Sequence, residues 1–578
     1  MARQYVNQEE EQYDESAVRD HDNSPSLPSL PSTRLFAIIG GLCLGTFLFG
    51  LDLNIIGVAI PPITTEFRSL ADVAWYGSAY MLTLTAFQPL FGNLNKFFNP
   101  KVVYMISLSI FEVGSIISAA APRSDVLIVG RAILGLGAAG LLQGALAIIG
   151  LVVAVDKVPL YIGIVVSSMA LSVCCGPVIG GALTEFIGWR WCFWINVPAG
   201  ACVLIIIFFF VNISGSSLNQ TTRNLSIYEK IRHMDFVGLI LFLGSICCLL
   251  LVLTWGGQAY PWNNGRIIGL FVVFGVLTVG LIFWLVKRKD LALIPLRVLR
   301  NRTIYMGSIT LVGYGIISVV YGYYLPILFQ SVQGVSTTES GIRYIALVGP
   351  QICAIVVTGA LVSQWGYYVP YMIAGGALCC IGSGLLATVD LTTPTVEWAA
   401  YLVIIGLGLG MAAQIPYTAL QAVLEPEDVA TGNAIAVFSF HLAGAIGTAI
   451  GQTLLIDGLN VAVPQYTDGL VSPAAVIQAG ATGLATVAAG DIQLLQDLRW
   501  AYGIAVRRTI ILGLAGACLT VPASCAMEWL NIKRVAEERE HRAENSADNP
   551  FSSTEAEKAE KGAPECQVIL GCSSLNEG

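Results

Sequence analysis

The fold is decided by one stretch, Gly50-Leu51-Asp52-Leu53-Asn54-Ile55-Ile56-Gly57-Val58-Ala59-Ile60-Pro61, which places a carboxylate inside a strongly apolar run. The run starts soon after Arg34 and is long enough for a helix to cross a hydrocarbon layer of about 30 Å. A charged group is costly in such a layer, so Asp52 is predicted to belong to a pathway for protons, ions or substrate. The alternative interpretation is an interfacial residue near the end of the first span.

The rest of the chain has the same apolar character. Its 578 residues are 55% hydrophobic and 12% charged, with a mean hydropathy of +0.72. This composition is typical of membrane proteins with several spans and not of soluble domains. The apolar segments have the length of helices, whereas an outer-membrane barrel has short alternating strands. The expected fold class is therefore an all-α polytopic membrane protein.

Charged residues and Pro/Gly-marked gaps divide the apolar part of the chain into fourteen predicted transmembrane helices. These spans are expected at 35–60, 73–93, 102–121, 126–153, 160–185, 191–213, 235–254, 266–286, 303–323, 340–362, 369–389, 397–420, 430–455 and 502–527. The gap at about 456–499 is expected to be the longest segment on the external side of the membrane, with room for a re-entrant piece.

The span pattern also predicts five parts of the chain. Disordered cytosolic tails are expected at 1–33 and 528–578, where acidic residues and a Pro/Ser linker replace the apolar segments. A first six-helix bundle is expected at 34–213 and a second at 287–527. Between them, 214–286 is expected to form a cytosolic linker and two extra helices.

Basic residues predict the orientation in the membrane. The gaps on the side of the tails carry clusters such as Lys287-Arg288-Lys289, whereas the opposite gaps carry mainly single arginines. By the positive-inside rule, both termini are expected to be cytosolic.

Four local patterns resemble motifs of the major facilitator superfamily, in particular its fungal fourteen-span drug:proton antiporter family. They are the 51–61 run with Asp52, the loop Gly92-Asn93-Leu94-Asn95-Lys96, the span-four pattern Arg131-x-x-x-Gly135-x-Gly137, and the span-five pattern Gly176-Pro177-Val178-Ile179-Gly180-Gly181. In the loop, Lys96 replaces the usual aspartate, so the contact that this carboxylate makes with a facing helix is not expected here.

The resemblance implies a major facilitator fold of two six-helix bundles plus two linker helices. It also implies a proton antiporter that exports toxins, secondary metabolites or drugs by alternating access. Arg131 takes the position linked to proton transfer, and the glycine motifs take conformational and antiporter roles. The runner-up is a proton-coupled uptake symporter for a siderophore-like or amine solute.

Polar residues within the predicted spans are candidates for the site. Glu112 is a second acid inside a span and could partner Arg131 of the next span, either as a structural ion pair or as a proton relay. Proton coupling is therefore assigned to Asp52, Glu112 and Arg131. Further candidates, for lining a substrate cavity, are Asn54, Gln88, Gln143, Tyr314, Tyr321, Gln351, Gln414, Phe440 and His441.

Cofactor chemistry is not expected. The run 135–140, Gly-Leu-Gly-Ala-Ala-Gly, matches a dinucleotide fingerprint, but that motif requires a preceding strand, and here it lies within an apolar helix. The sequence has no Gly-Lys pair of a phosphate-binding loop, and its 4 histidines are dispersed. The protein is predicted not to be an enzyme, to hold no metal, and to use a proton gradient as its energy source.

The expected partners follow from this interpretation. They are a small organic substrate, protons and the lipid bilayer, without nucleic acid, and the protein is expected to be a monomer. The predicted location is the plasma membrane, with the vacuolar membrane as the alternative.

Overall fold

The structure, a computed structural model, describes residues 32–67, 72–154, 157–212, 228–230, 234–257, 260–289, 292–390, 393–480, 483–535 and 537–538. Within these ranges the chain is helical, without a β-strand and with two isolated bridges. The all-α prediction is confirmed. The predicted tails lie mostly outside the described residues.

The first half of the chain packs around one large apolar core. Its helices are α1 (Ser32–Phe67), α2 (Val73–Ala86), α3 (Gln88–Phe97), α4 (Pro100–Ala119), α5 (Ser124–Val152), α6 (Val158–Phe186), α7 (Trp191–Trp194) and α8 (Asn196–Phe210). The start of α4 shows how sequence sets a boundary, because the Asn99 side chain accepts a hydrogen bond from Lys101 N and Pro100 occupies the first turn.

The predicted span at 73–93 forms two helices, α2 and α3, separated at Phe87. Pro89 explains the break, since it has no N–H to donate to the carbonyl four residues earlier. The second helix, α3, therefore begins at Gln88 and ends at Phe97.

The linker contributes α9 (Phe236–Trp255), α10 (Gly265–Arg288) and α11 (Leu296–Arg300). Helices α9 and α10 pack on each other, and α9 also contacts α2 of the first half. A small apolar core at this place includes Phe242, Leu281 and Leu293. The extra helices therefore lie against one side of the two halves.

The second half has its own core. Its helices are α12 (Arg302–Ile327), which ends in a π-helical turn at Leu328–Val332, then α13 (Thr337–Trp365), α14 (Val369–Leu386), α15 (Thr395–Ala412), α16 (Ile415–Val423), α17 (Pro426–Tyr466), α18 (Pro473–Ala479), α19 (Leu484–Val487) and α20 (Ile492–Cys525). Gly366, with φ of 78°, terminates α13 in the left-handed conformation that glycine adopts without strain.

Within the described residues, 12 helical segments are long and apolar enough to cross a membrane. The predicted count of fourteen is not confirmed. The two predicted spans outside this set are 73–93, which is broken at Phe87, and 160–185. The latter lies within α6 (Val158–Phe186), which this count does not include.

The predicted outside gap at 456–499 is largely helical. Helix α17 continues to Tyr466 and α20 begins at Ile492, with α18 and α19 between them. The apolar faces explain the extension, because Leu459, Val463 and Leu498 remain buried in the core of the second half. The helices therefore extend beyond the predicted span ends at 455 and 502, and the position of the membrane boundary stays a prediction.

The two halves meet along two pairs of helices, α6 with α13 and α3 with α17. Glycines permit close approach at both places. Gly359 of α13 lies against Pro159 of α6, and Gly92 of α3 lies against Ala434 of α17. The space between these two contacts is where the halves can enclose a ligand.

Candidate functional site

A buried ion pair joins α1 to α5. Arg131 Nη1 donates to Asp52 Oδ2, and the exposed fractions of the two side chains are 1% and 0%. Arg131 Nε also donates to the Tyr76 carbonyl oxygen at 2.8 Å, and its guanidinium carbon lies 4.5 Å from the centre of the Tyr80 ring. The guanidinium group is thus held by several partners, all within the first half.

A small polar cluster continues from this pair to the start of α8. Asp52 Oδ1 has no hydrogen bond among the described residues, and Asn196 lies beside this carboxylate. Asn196 Nδ2 donates to Ser115 Oγ at 3.0 Å, and Ser115 Oγ donates to the Phe193 carbonyl oxygen at 2.8 Å. The sequence interpretation did not select Asn196 or Ser115. The sequence does contain a feature that could have identified Asn196, because it is the single polar residue after a run of aromatic residues.

Glu112 does not partner Arg131. It is 8% exposed, and neither carboxylate oxygen has a hydrogen-bond partner in the described part of the chain. Its carboxyl group lies against Gly200 of α8, where a Cβ atom would overlap Glu112 Oε1. The pairing with Arg131 was wrong because Glu112 lies on the side of α4 that faces α8.

The glycines of the two motifs form close helix contacts. On α5, a Cβ at Gly135 would collide with the Tyr80 carbonyl group of α2, and one at Gly137 with the Phe111 backbone of α4. On α6, Gly176 and Gly180 lie against Asn54 and Ile55 of α1. Gly181 is half-buried on the same helix, and the side chain of Pro177 lies outside the described residues. Larger residues at these glycines would separate the helices.

A cavity of about 100 Å³ lies between the two halves. One wall comes from α5 and α6 of the first half. The other wall comes from α12, α13, α15, α16 and α17 of the second half, and from Ala413 between α15 and α16. The lining residues are Leu142, Val166, Met169, Ala170, Ser318, Tyr321, Tyr344, Leu347, Val348, Gln351, Ile355, Leu409, Ala413, Tyr417 and Phe440. This central cavity has no Asp, Glu, Lys, Arg or His side chain in its described lining.

Three of the nine residues predicted to line a substrate cavity do line the central cavity, namely Tyr321, Gln351 and Phe440. The other six lie elsewhere. Asn54 Nδ2 donates to the Gly50 carbonyl oxygen of its own helix at 2.7 Å. Tyr314 is buried within the second half.

The remaining candidates make packing hydrogen bonds. Gln143 Nε2 donates to the Gln88 carbonyl oxygen at 2.8 Å, which joins α5 to α3. Gln414 Nε2 donates to the Ile355 carbonyl oxygen at 2.8 Å within the second half. His441 Nδ1 lies 2.9 Å from the carbonyl oxygen of Val437, one turn earlier in α17. Contact of any of these residues with substrate stays a prediction.

A second set of charges connects the halves. Lys96 Nζ of α3 lies 3.4 Å from Asp428 Oδ1 of α17, and Arg297 Nη2 of α11 lies 2.8 Å from Asp428 Oδ2. We call Lys96, Asp428 and Arg297 the latch. Its side chains range from 6% exposed at Asp428 to 60% exposed at Arg297.

Residue 96 supplies no carboxylate to a facing helix, as expected, but the latch shows a different contact at this position. The lysine that replaces the usual aspartate does contact the facing helix, with the charges exchanged, because that helix supplies the carboxylate. The sequence interpretation missed Asp428 and Arg297, although both lie in gaps next to predicted spans.

Comparisons with known proteins agree with this architecture. Residues 42–448 match the model of the Major Facilitator Superfamily. The chain is 41% identical to the MFS-type efflux pump MFS1 of Trichophyton rubrum, over 86% of this chain and 92% of that protein. It is 36% identical to the efflux pump aflT of Aspergillus parasiticus, over 87% and 96%. It is 37% identical to the efflux pump roqT of Penicillium rubens, over 90% and 95%.

Solved structures support the same fold. The proton:xylose symporter XylE matches with a TM-score of 0.55 at 14% identity, over 87% of this chain and 99% of that chain. The human organic anion transporter MFSD10 matches with a TM-score of 0.54 at 12% identity, over 85% and 100%. From the motifs, the two helical halves and these matches, the chain belongs to the Major Facilitator Superfamily.

Proposed function

We propose that this protein is a proton-coupled antiporter that exports a small neutral organic molecule, such as a toxin or other secondary metabolite, by alternating access. The observation that carries the proposal is the separation of two features. A buried ion pair lies inside the first half, and an uncharged cavity lies between the halves. The names of the efflux-pump relatives support export, and membership in a family of transporters excludes an enzyme.

The lining of the central cavity supports a neutral substrate. Burial of a charged molecule without a counter-charge costs much more free energy than burial of a neutral polar one. Asp52, Glu112 and Arg131 do not line this cavity. Tyr344, Tyr417 and Gln351 offer aromatic faces and hydrogen-bonding groups, which suit a planar molecule with a few polar atoms.

Asp52, Arg131 and Glu112 are the groups we assign to proton coupling. A proton on Asp52 would cancel its charge and leave the Arg131 guanidinium group without its counter-ion in an apolar setting. Glu112, which has no hydrogen-bond partner in the described residues, is a second group that can hold a proton within the same half. Proton transfer in this region would change the packing of α1, α4 and α5, and so favour one arrangement of the halves.

We further propose fourteen spans, a monomer, and a plasma-membrane location with both termini cytosolic. Helix α6 and the pair α2–α3 would supply the two spans beyond the 12 identified by length and composition. Clusters of basic residues near α3, α10 and α11 support a cytosolic position for that end of the molecule. The latch would then close the cytosolic side.

The test is flux in proteoliposomes under an imposed pH gradient, with a panel of neutral fungal metabolites measured by mass spectrometry. We expect proton-driven export that a protonophore abolishes. Asp52→Asn should lose coupling, whereas the matched control Glu66→Gln, which removes an acid outside the proposed proton site, should retain it. Flux in the direction of proton entry would instead identify a symporter, and gradient-independent flux would contradict proton coupling.

A further inference from the structure

A second cavity of about 190 Å³ lies in the seam between α3 and α17, under the linker. Its lining residues are Pro89, Asn93, Leu293, Ile294, Leu299, Tyr305, Ser308, Thr431, Ala434, Ile435, Phe438 and Ser439. None of them lines the central cavity. Helix α17 separates the two spaces, because Phe438 and Ser439 face the seam while Phe440 faces the centre.

The outer wall of this seam cavity is held in place at both ends. At one end, Asp235 Oδ2 accepts a hydrogen bond from Leu293 N at 2.9 Å. Asp235 Oδ1 accepts from Gly238 N at 2.9 Å and from Trp284 Nε1 at 2.8 Å, which fixes the acid between the linker helices. At the other end, the wall is held by the ion pair between Arg297 and Asp428. These contacts therefore fix the position of the outer wall in the folded protein.

The lining defines the chemistry of a ligand. Its described side chains include no Asp, Glu, Lys, Arg or His, and most of its surface is apolar. Cavities with a mainly apolar lining can take up apolar molecules. Thr431 is 3% exposed, and its hydroxyl has no hydrogen-bond partner among the described residues. The Ser439 hydroxyl donates to the Ile435 carbonyl oxygen at 2.7 Å, so its oxygen can still accept a hydrogen bond.

We propose that the seam cavity is a second binding site, which takes a neutral and mainly apolar molecule with one hydrogen-bonding group. Thr431 provides the polar contact, and Leu293, Ile294 and Leu299 enclose the apolar part. Tyr305, which is 54% exposed, lies where the cavity opens to the surface. A free organic solute and a membrane lipid share this chemistry. The site exists whether or not the protein exports by antiport.

The test uses the purified full chain in detergent, with a diazirine-bearing benzyl alcohol as photoreactive probe and peptide mapping by mass spectrometry. We expect saturable adducts in peptides that contain residues 293–308 and 431–439. Ser308→Phe, which fills the cavity from α12, should reduce these adducts by at least about fivefold, since it removes the space that binds the ring. The matched variant Ala413→Phe, which fills the central cavity, should leave them unchanged.

A misfolded Ser308→Phe or Thr431→Val protein is recognised because its adducts at the central cavity and its elution volume would change as well. A misfolded Ala413→Phe protein is recognised by its elution volume. Thr431→Val keeps the shape of the side chain and removes its hydroxyl, so the probe should bind about two- to tenfold more weakly. Seam adducts that do not saturate, that persist in Ser308→Phe, or that disappear in Ala413→Phe would overturn the site. Equal binding to Thr431→Val would overturn the polar contact.

Two competition measurements identify the source of the natural ligand. Suppression of seam adducts by phosphatidylcholine in nanodiscs supports a lipid chain as the occupant. Adducts that persist in nanodiscs and are displaced by free naphthol support a free solute. Adducts that neither competitor reduces would overturn specific binding in the seam.

Discussion

The buried pair of Asp52 and Arg131 and the latch of Lys96, Asp428 and Arg297 use the same chemistry in different surroundings. The first is closed from solvent and joins helices of one half. The second joins the two halves and the linker, and Arg297 is 60% exposed. A buried pair cannot open without leaving charges unpaired, whereas Arg297, on the exposed side of the latch, can exchange its partner for water. A protein whose two halves rock against each other requires rigid contacts within each half, such as the buried pair. It also requires reversible contacts between the halves, such as the latch.

The largest expected effect is on the buried pair. Arg131→Met leaves the Asp52 carboxylate unpaired and should lower the free energy of unfolding by about 3–5 kcal/mol. The double variant Asp52→Asn/Arg131→Met should regain much of this loss, because no unpaired charge remains. Thermal unfolding in detergent, followed by tryptophan fluorescence, measures both.

Arg131→Lys sharpens this prediction. Lysine keeps the charge but has no planar group that can donate to Asp52 and to the Tyr76 carbonyl oxygen at the same time. The stability of Arg131→Lys should therefore lie between that of the wild type and that of Arg131→Met. Unchanged stability in Arg131→Met would show that the pair does not hold α1 to α5.

A smaller effect is expected at the latch. Asp428→Asn weakens the contacts to both basic residues, which together are worth about 1.5–3 kcal/mol, because Asp428 is buried whereas Arg297 is exposed. The population with separated halves at this end should rise at least about tenfold. This population is measured by distances between spin labels on unnatural amino acids at Lys157, which precedes α6 in the first half, and at Lys533, which follows α20 of the second half.

The control at the latch is Lys96→Gln. This variant keeps the Arg297–Asp428 contact and should shift the population less than Asp428→Asn does. A larger shift in Lys96→Gln would assign the closing contact to Lys96 alone and contradict a three-residue latch.

The dependence on salt concentration distinguishes the latch from the buried pair of Asp52 and Arg131. Between 0.01 M and 1 M salt the screening length falls from about 30 Å to about 3 Å. The label distances in wild type should then approach those of Asp428→Asn, because the latch is partly exposed. The unfolding penalty of Arg131→Met should change little with salt, and an equal dependence at both places would contradict the distinction.

The smallest effect is expected at a third ion pair, between Glu66 at the end of α1 and Arg190. Arg190 Nη2 lies 2.8 Å from Glu66 Oε1, and Trp189 Nε1 donates to Glu66 Oε2 at 2.7 Å. The hydrogen bonds from Arg190 and Trp189 lower the pKa of Glu66 below its ordinary value of 4.5. Stability from this contact is therefore full above pH 4.5 and is lost as the pH falls through the lowered pKa.

Glu66→Gln should thus cost about 0.2–1 kcal/mol at neutral pH, as exposed pairs do. The difference from wild type should disappear in acid, where Glu66 is protonated in both states. Unfolding temperatures of the two proteins across the acid range measure this. A difference that persists in acid would mean that the pair's charge does not contribute.

The sequence by itself determined the fold class and the residues that required explanation. Long apolar runs have one stable form in a bilayer, so spans follow from composition. Asp52, Glu112 and Arg131 were evident because ionisable groups are rare in such runs. The motifs led to the family for the same reason, since glycines at these spacings and polar residues within spans are local features of the chain.

Only the tertiary structure decided which residues meet. The choice of Asp52 over Glu112 as the partner of Arg131 depends on the rotation of α1, α4 and α5 about their axes, which spacing does not reveal. The charge-exchanged latch required Asp428, far along the chain from Lys96, to face it across the seam. The two cavities, and the extension of α17 to Tyr466, arise from packing between elements distant in sequence, because a local pattern fixes a helix but not its neighbours.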